Sequence, residues 1–396
     1  MPRSSTPLRI SAFFAASFIP FGVQIPFYPV LLSARGQDAA AIAVITTVPI
    51  VLRLTMASWL GSFADRLGDR RRAIVLYAGV ALLACVALGP ARDFWSLLVV
   101  TAAMAAAWNG ILPVTDALAT GAVRRGEAVY GRMRVWGSAA FVVGNLLAGR
   151  VVALWGEYGI WGFMTLGFAA QFVVAFALPR DRPEAVGRRR EGMLAGMRAV
   201  AADRRLMAVL IGAGVMQASH AMLYGFSSLY WASLGFSGDE IGILWAMGVS
   251  GEIALFTFSG HVLPRLGARG LVMLGGIGGV IRWSLFPLLG YDLLVWAGLQ
   301  LLHATTFAAA HLGTMAVIGR SVDDRRAATA QGMMVSLNGL AMALATIASG
   351  PLYTRYGGGG FAAMAVLAAV GGTILTIATS IHPQSAGVGG KTVEPS

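Results

Sequence analysis

Stretches of about 20 apolar residues, the length a helix needs to cross a hydrocarbon core of about 30 Å, recur along the whole chain. No water-soluble fold hides that many such segments. Hydrophobic residues make up 57% of the sequence and charged residues only 12%, against about 25% charged in soluble domains. The pattern predicts an all-α integral membrane protein with twelve spans: 9–31, 40–60, 73–90, 94–118, 132–154, 159–178, 207–232, 240–258, 270–289, 293–318, 330–350 and 360–380. The first is too long, and too continuous with the rest, to read as a cleaved signal peptide. The only cysteine, Cys85, falls in span 3, so no intrachain disulfide can form. A nucleotide-binding loop, an HExxH motif, a His/Cys metal cluster and a G-x-S-x-G elbow are all missing from the sequence, so neither an enzyme nor a cofactor or metal protein is expected.

The formal charge of +12 is distributed by side. With the N-terminus placed in the cytoplasm, loop arginines from Arg66 through Arg124, Arg188 and Arg204 to Arg325 share that side. Only Arg35, Arg92 and Arg355 lie on the other. This positive-inside asymmetry predicts a multi-pass protein of a plasma membrane, the inner membrane of a bacterium, with both termini cytoplasmic. The basic excess would orient the chain and touch anionic lipid, and nucleic acid is not an expected partner.

An internal repeat is visible. Residues 61–70, "GSFADRLGDR", align with 260–269, "GHVLPRLGAR", 199 positions apart, matching Gly61 with Gly260, Arg66 with Arg265, Gly68 with Gly267 and Arg70 with Arg269. The chain divides accordingly into a six-helix bundle (1–178), a cytoplasmic linker (179–206) with a short surface helix, a second bundle (207–380) and a disordered tail (381–396). Two parallel six-span repeats are one way transporters are built, with substrate held near the midplane. "GSFADRLGDRRR" resembles the loop motif of the major facilitator superfamily, G-x-x-x-D-R-x-G-R-R-x-R, with Asp69 where that pattern has arginine. The resemblance implies that Asp65 caps a neighbouring helix and that the arginines latch the cytoplasmic side.

Ionisable residues inside spans are energetically costly and usually functional. They are Arg53, Asp116, Arg134, Arg150, His220, Glu252, Arg282, His303 and His311. Several have plainer readings. Arg150 lies near the outer end of span 5 and can snorkel to the interface, and a lone histidine often only packs. His303 and His311, however, share one helix face with Gln300 and Phe307. In "YGRMRVWG", Arg132 and Arg134 are two apart and so face different ways. Arg132 reads as the surface anchor, and Arg134 begins a face with Ser138, Phe141 and Asn145. The short 119–131 connection makes spans 4 and 5 antiparallel neighbours, so Asp116 and Arg134 are expected to neutralise each other. A purely structural salt bridge is the alternative.

"LPVTDALA", "YGRMRVWGSAAF", "SHAMLYGFSSLYW", "GILWAMGVSGEI", "GVIRWS" and "QLLHATTFAAAHL" resemble the lactose permease type of proton symporter, and within it the phenylpropionate (cinnamate) permease branch. The resemblance implies that Asp116 and Arg134 stand at the acid–arginine pair that binds substrate, and Glu252 at an acidic ligand of span 8. Two departures speak against a sugar. Phe141 stands where the galactoside branch stacks its sugar on tryptophan, and Thr306 follows His303 where that branch has an acid. The combined expectation is a proton-coupled symporter, working as a monomer, that imports a small aromatic carboxylate by alternating access. Arg134, Asp116, Phe141, Asn145, Arg282 and Tyr224 would bind it, and Glu252, Asp116, His303, His311 and His220 would handle protons. A charge count supports this. Arg53, Arg134 and Arg282 against Asp116 and Glu252 leave +1, which one carboxylate neutralises. A sugar or nucleoside symporter, a drug/proton antiporter, and a non-transporting receptor are the alternatives.

Overall fold

A computed structural model describes residues 5–180, 193–322 and 324–380. The tail and residues 181–192 of the proposed linker lie outside the described residues. The described residues contain only helices, turns and connecting loops. Ten helical stretches are long and apolar enough to cross a bilayer, but two of them, Tyr130–Ala175 (46 residues) and Thr329–Ser380 (52 residues), are about twice the length one crossing needs. Each contains a glycine with positive φ where the chain reverses, Gly156 (φ 56°) and Gly357 (φ 53°). Divided there, they complete twelve spans. Spans 1 to 4 are Thr6–Ala34, Ala39–Arg66, Arg70–Leu88 and Phe94–Arg124. Spans 5 and 6 are the two arms of Tyr130–Ala175. Spans 7 to 10 are Arg204–Ser233, Gly238–Thr257, Ser259–Leu288 and Leu293–Ser321. Spans 11 and 12 lie in Asp324–Tyr356 and Phe361–Ser380. A further helix, Met193–Ala202, precedes span 7 and packs on span 11.

The repeat seen in the sequence extends into the backbone. Gly36 and Gly235 (φ 78° and 99°) end spans 1 and 7, and Gly68 and Gly267 (φ 65° each) turn the chain before span 3 and within span 9. Only glycine adopts such φ values freely. N-caps recur at the same interval of 199 residues: Asp38 and Ser237 accept from backbone N–H groups of the following helix, as do Asp93 and Asp292. A capping side chain satisfies N–H groups that the helix itself cannot.

Within the first half, span 1 packs along span 5, and span 3 against spans 4 and 6; within the second, span 12 packs on spans 7 and 9. The halves meet where span 2 contacts span 11 and span 5 contacts span 8. Both contacts close on glycine at the end away from the arginine-rich loops. A Cβ added to Gly149 would lie 2.5 Å from the Gly238 carbonyl oxygen, and one on Gly350 would lie 2.7 Å from that of Ala39. Arg150 pairs there with Asp239 of the other half at 3.1 Å. The space between the halves is sealed at that end and opens toward the arginine-rich end, where Arg53 and His311 remain exposed.

Candidate functional site

Spans 4 and 5 place Asp116 and Arg134 near one another, but the direct pair expected from the sequence is not made. The Tyr130 hydroxyl donates to Asp116 Oδ1 at 2.9 Å. The Arg134 guanidinium instead lies 4.1 Å above the Phe18 ring and 5.7 Å from that of Phe14, and its Nη1 is buried with no hydrogen-bond partner. The reason is the packing. Span 5 lies along spans 1 and 8 and touches span 4 only marginally. Tyr130, one turn before Arg134 on the same face, therefore reaches Asp116 first.

Phe141 and Asn145 continue the face begun by Arg134 but lie beneath the accessible wall. Phe141 is 8% exposed and packs on Phe21, which stacks on Trp108. Asn145 is fully buried, with neither amide atom bonded. It sits where span 5 presses on spans 1 and 8, against Gly22 and Gly242.

The second half holds a buried cluster formed by two interrupted helices. Span 7 breaks at Ser219–His220, and span 10 widens into a π-helical segment, Ala304–Ala309. Discontinuous helices of this kind form binding sites in many transporters, and π segments often mark functional sites. Arg282 of span 9 is fully buried between them. It donates through Nη2 to Gln300 Oε1 (2.6 Å) and through Nη1 to His303 Nδ1 (2.9 Å) and Thr306 Oγ1 (3.2 Å). The Trp283 ring lies 4.5 Å from the guanidinium. Arginine only donates, so His303 Nδ1 must accept and the ring proton sits on Nε2. That nitrogen lies 3.6 Å from Glu252 Oε2, too far for a hydrogen bond but close enough for strong electrostatic interaction. His220 Nδ1 donates to the Gln217 carbonyl (3.2 Å), which leaves Nε2 to accept from the Thr306 hydroxyl (3.0 Å). The two histidines, Thr306 and the terminal nitrogens of Arg282 are thus ordered in one direction, while Arg282 Nε and Gln300 Nε2 are buried with no hydrogen-bond partner.

Arg282, His220 and His303 are therefore enclosed among spans 7, 9 and 10 and do not line the accessible space. Glu252, partly exposed, lies in front of them, within electrostatic range of Arg134 across the interface. Tyr224 stacks against Trp245 and lies in similar range of Glu252 and Arg53. His311 is exposed, its ring parallel to that of Phe307. Sequence reasoning missed the roles of Tyr130 and Thr306. The i,i+4 relation of Tyr130 to Arg134 was a signal for the first; nothing local announced the second. It also missed Glu157, which accepts from Arg35 Nε (3.0 Å) and Arg92 Nη1 (2.9 Å) at the sealed end. In the loop motif, Asp65 is exposed and caps no helix among the described residues. Asp69, the departure from the motif, instead accepts from Arg71 N (3.0 Å) and caps span 3. Among the described residues no group of three or more His, Cys, Asp or Glu could hold a metal ion.

A sequence model of the MFS_1-like family, within the major facilitator superfamily, matches residues 8–362. The chain belongs to this family. It is similar to the probable 3-phenylpropionic acid transporter of Escherichia coli (strain K12), at 31% identity over 89% of this chain and 92% of that protein. It is also similar to the maltose permease of Geobacillus stearothermophilus, at 24% identity over 68% of each chain. Among solved structures, the nucleoside transporter NupG shares the fold with a TM-score of 0.79 at 14% identity, over 95% of this chain and 99% of that one. A bacterial homologue of the human lysosomal transporter Spinster, inward-facing and occupied, does so with a TM-score of 0.70 at 16% identity, over 96% of this chain and 95% of that one. This facilitator-family protein is thus a multi-pass membrane transporter of small molecules and not an enzyme. The candidate site residues fall into two groups: a partly exposed front of Arg53, Asp116, Arg134, Tyr224 and Glu252, and a buried cluster around Arg282.

Proposed function

We propose that this transporter carries a small aromatic carboxylate and a proton together into the cell by alternating access between its two six-helix halves, 1–178 and 207–380. The observation that carries the reading is Arg134. Its guanidinium stands at the front of the site with one N–H group buried and unpartnered, and its nearest acid is already held by Tyr130. A buried donor without a partner costs about 1–3 kcal/mol, more when charged, and a planar carboxylate satisfies a guanidinium with two parallel bonds. The partly exposed ring of Tyr224, backed by Trp245, offers a face to an aromatic body. The name of the 31%-identical relative agrees with this chemistry.

Glu252 is the proton carrier in this reading. It faces the accessible space in front of a cluster that holds a fixed positive charge, and the arginines cannot release protons in the working range. The arginine-rich end is the cytoplasmic one by the positive-inside rule, so the structure is open inward. A sugar or nucleoside symporter is the second reading. Asp116 favours it, because a carboxylate beside a tyrosine hydroxyl binds substrate hydroxyls well.

A thermal-shift screen of the purified protein against 3-phenylpropionate, a galactoside, maltose and uridine separates these readings. Stabilisation by the aromatic acid alone, absent in Arg134→Lys, supports the proposal. Stabilisation by the sugars or the nucleoside, with none from the acid, overturns it.

A further inference from the structure

Spans 9 and 12 meet at glycine. A Cβ added to Gly276 would lie 3.1 Å from the Gly372 Cα. Glycine lets two backbones approach closely but supplies no side chain to fill the outer side of the contact, and a groove of about 390 Å³ remains there. Met273, Ile277 and Ile281 of span 9 form one bank, and Ala369, Thr373 and Ile377 of span 12 the other; all six are exposed. Span 9 starts its crossing after Gly267 at the arginine-rich end, and span 12 finishes there at Ser380. The groove therefore lies mainly in the cytoplasmic half of the membrane and, at 1.5 Å per residue over 273–281, runs for about 12 Å.

Its cytoplasmic mouth is positively charged. Arg269 stands one turn before Met273 in the row 269, 273, 277, 281, so it continues that bank, and side chains of a helix lean toward its N-terminus, here the cytoplasmic end. Arg269 is exposed and makes no hydrogen bond or ion pair among the described residues. Arg205 Nε donates to the Ala378 carbonyl at 2.7 Å, which fixes a second guanidinium at the cytoplasmic end of span 12. Asp203, the acid nearest to it in sequence, serves as the N-cap of span 7.

We infer that this groove holds one acyl chain of an anionic phospholipid of the cytoplasmic leaflet, with the lipid phosphate at Arg269. A groove open to hydrocarbon and left empty would forfeit dispersion contacts along both banks, and a lipid chain is the apolar body at that depth. Charge selects the headgroup. The Arg269 stem can lie along the apolar row with its guanidinium in the headgroup layer, where anionic lipids attract arginine. A zwitterionic lipid offers the same chain but sets its own cation beside the phosphate. Ile281 is followed by the buried Arg282, so span 9 carries the lipid groove on its outer face and the buried cluster on its inner one. The inference does not depend on which substrate is carried.

The test uses the full-length protein in phosphatidylcholine vesicles containing a small share of phosphatidylglycerol or phosphatidylcholine with a photoactivatable diazirine at mid-chain. Adducts are mapped by peptide mass spectrometry. Phosphatidylglycerol is expected to label 273–281 and 369–377 severalfold more than phosphatidylcholine does, and severalfold more than it labels the exposed Leu166 and Val173 of span 6. Arg269→Gln should bring phosphatidylglycerol labelling of the groove down to the phosphatidylcholine level, and Ala369→Phe, which fills the groove, should remove labelling by both. Equal labelling of the groove by the two lipids in the wild type, or undiminished phosphatidylglycerol labelling in Arg269→Gln, would overturn the anionic site. A groove shielded from both lipids, with Ile277→Cys forming a disulfide-linked dimer in a Cys85→Ala background, would assign the face to a second copy of the chain and overturn the lipid site as well.

Discussion

Arg134 shows how far the position of a charge can be read from sequence and where that reading stops. An arginine four residues into an apolar segment was visible as a functional candidate, because few other reasons put a guanidinium there. Its partner was not visible, since the choice between Asp116 and the Phe18 ring depends on span 5 packing along span 1 rather than along span 4. The same applies to Arg282, whose burial depends on two helix interruptions. Two residue-level outcomes follow. Arg134→Lys keeps the charge but loses the planar two-pronged geometry. At about 1.5–3 kcal/mol for a charged hydrogen bond, binding of the aromatic acid should weaken roughly ten- to a hundredfold. Titration of wild type and variant by calorimetry checks this, and equal affinities would leave Arg134 a packing residue. Glu252→Gln fixes the protonated-like state. It should still exchange substrate in counterflow yet fail to accumulate it under an imposed pH gradient in the same proteoliposomes. Uphill uptake by Glu252→Gln would move the proton site to Asp116.

The elements were legible as twelve apolar segments, but their irregularities were not. Hydropathy carries the length of a span, and the break at His220 and the π segment 304–309 leave composition unchanged. Both arise where side-chain bonding competes with the regular helix, and Thr306 sits at their junction. Its hydroxyl is the one group bonded to both Arg282 and His220. Thr306→Val keeps the shape and removes those bonds, leaving a buried histidine nitrogen and a guanidinium donor unsatisfied. A destabilisation of about 1–3 kcal/mol is expected. It would be read as a lower unfolding temperature in detergent, with Thr306→Ser restoring the wild-type value. If valine and serine variants melt alike, the hydroxyl does not hold spans 7 and 10 together.

At the scale of the whole molecule, alternation requires that the sealed end open while the other closes. Two contacts of different kind hold the seal on one side, and they are separable. The Arg150–Asp239 pair is exposed on both partners, and such pairs contribute about 0–1 kcal/mol. Arg150→Gln should therefore change gradient-driven uptake by less than about fivefold, the factor to which 1 kcal/mol corresponds. The glycine contact is of another order. A side chain at Gly149 would enter the Gly238 backbone, so Gly149→Val opposes closure of that end without touching the site. Shifting a two-state equilibrium from 1:99 to 99:1 takes about 5.5 kcal/mol, and forcing backbones apart along spans 5 and 8 is a penalty of that kind. Gly149→Val is thus expected to populate the form open at the glycine end, which is sealed in this structure. Spin labels on Pro90 and Tyr291, exposed loop positions of the two halves, should move apart by several ångströms in Gly149→Val, measured by pulsed dipolar spectroscopy in a Cys85→Ala background. Accumulation should be lost in the same variant. Unchanged label distances together with normal uptake would mean that the halves separate elsewhere than at this glycine pair.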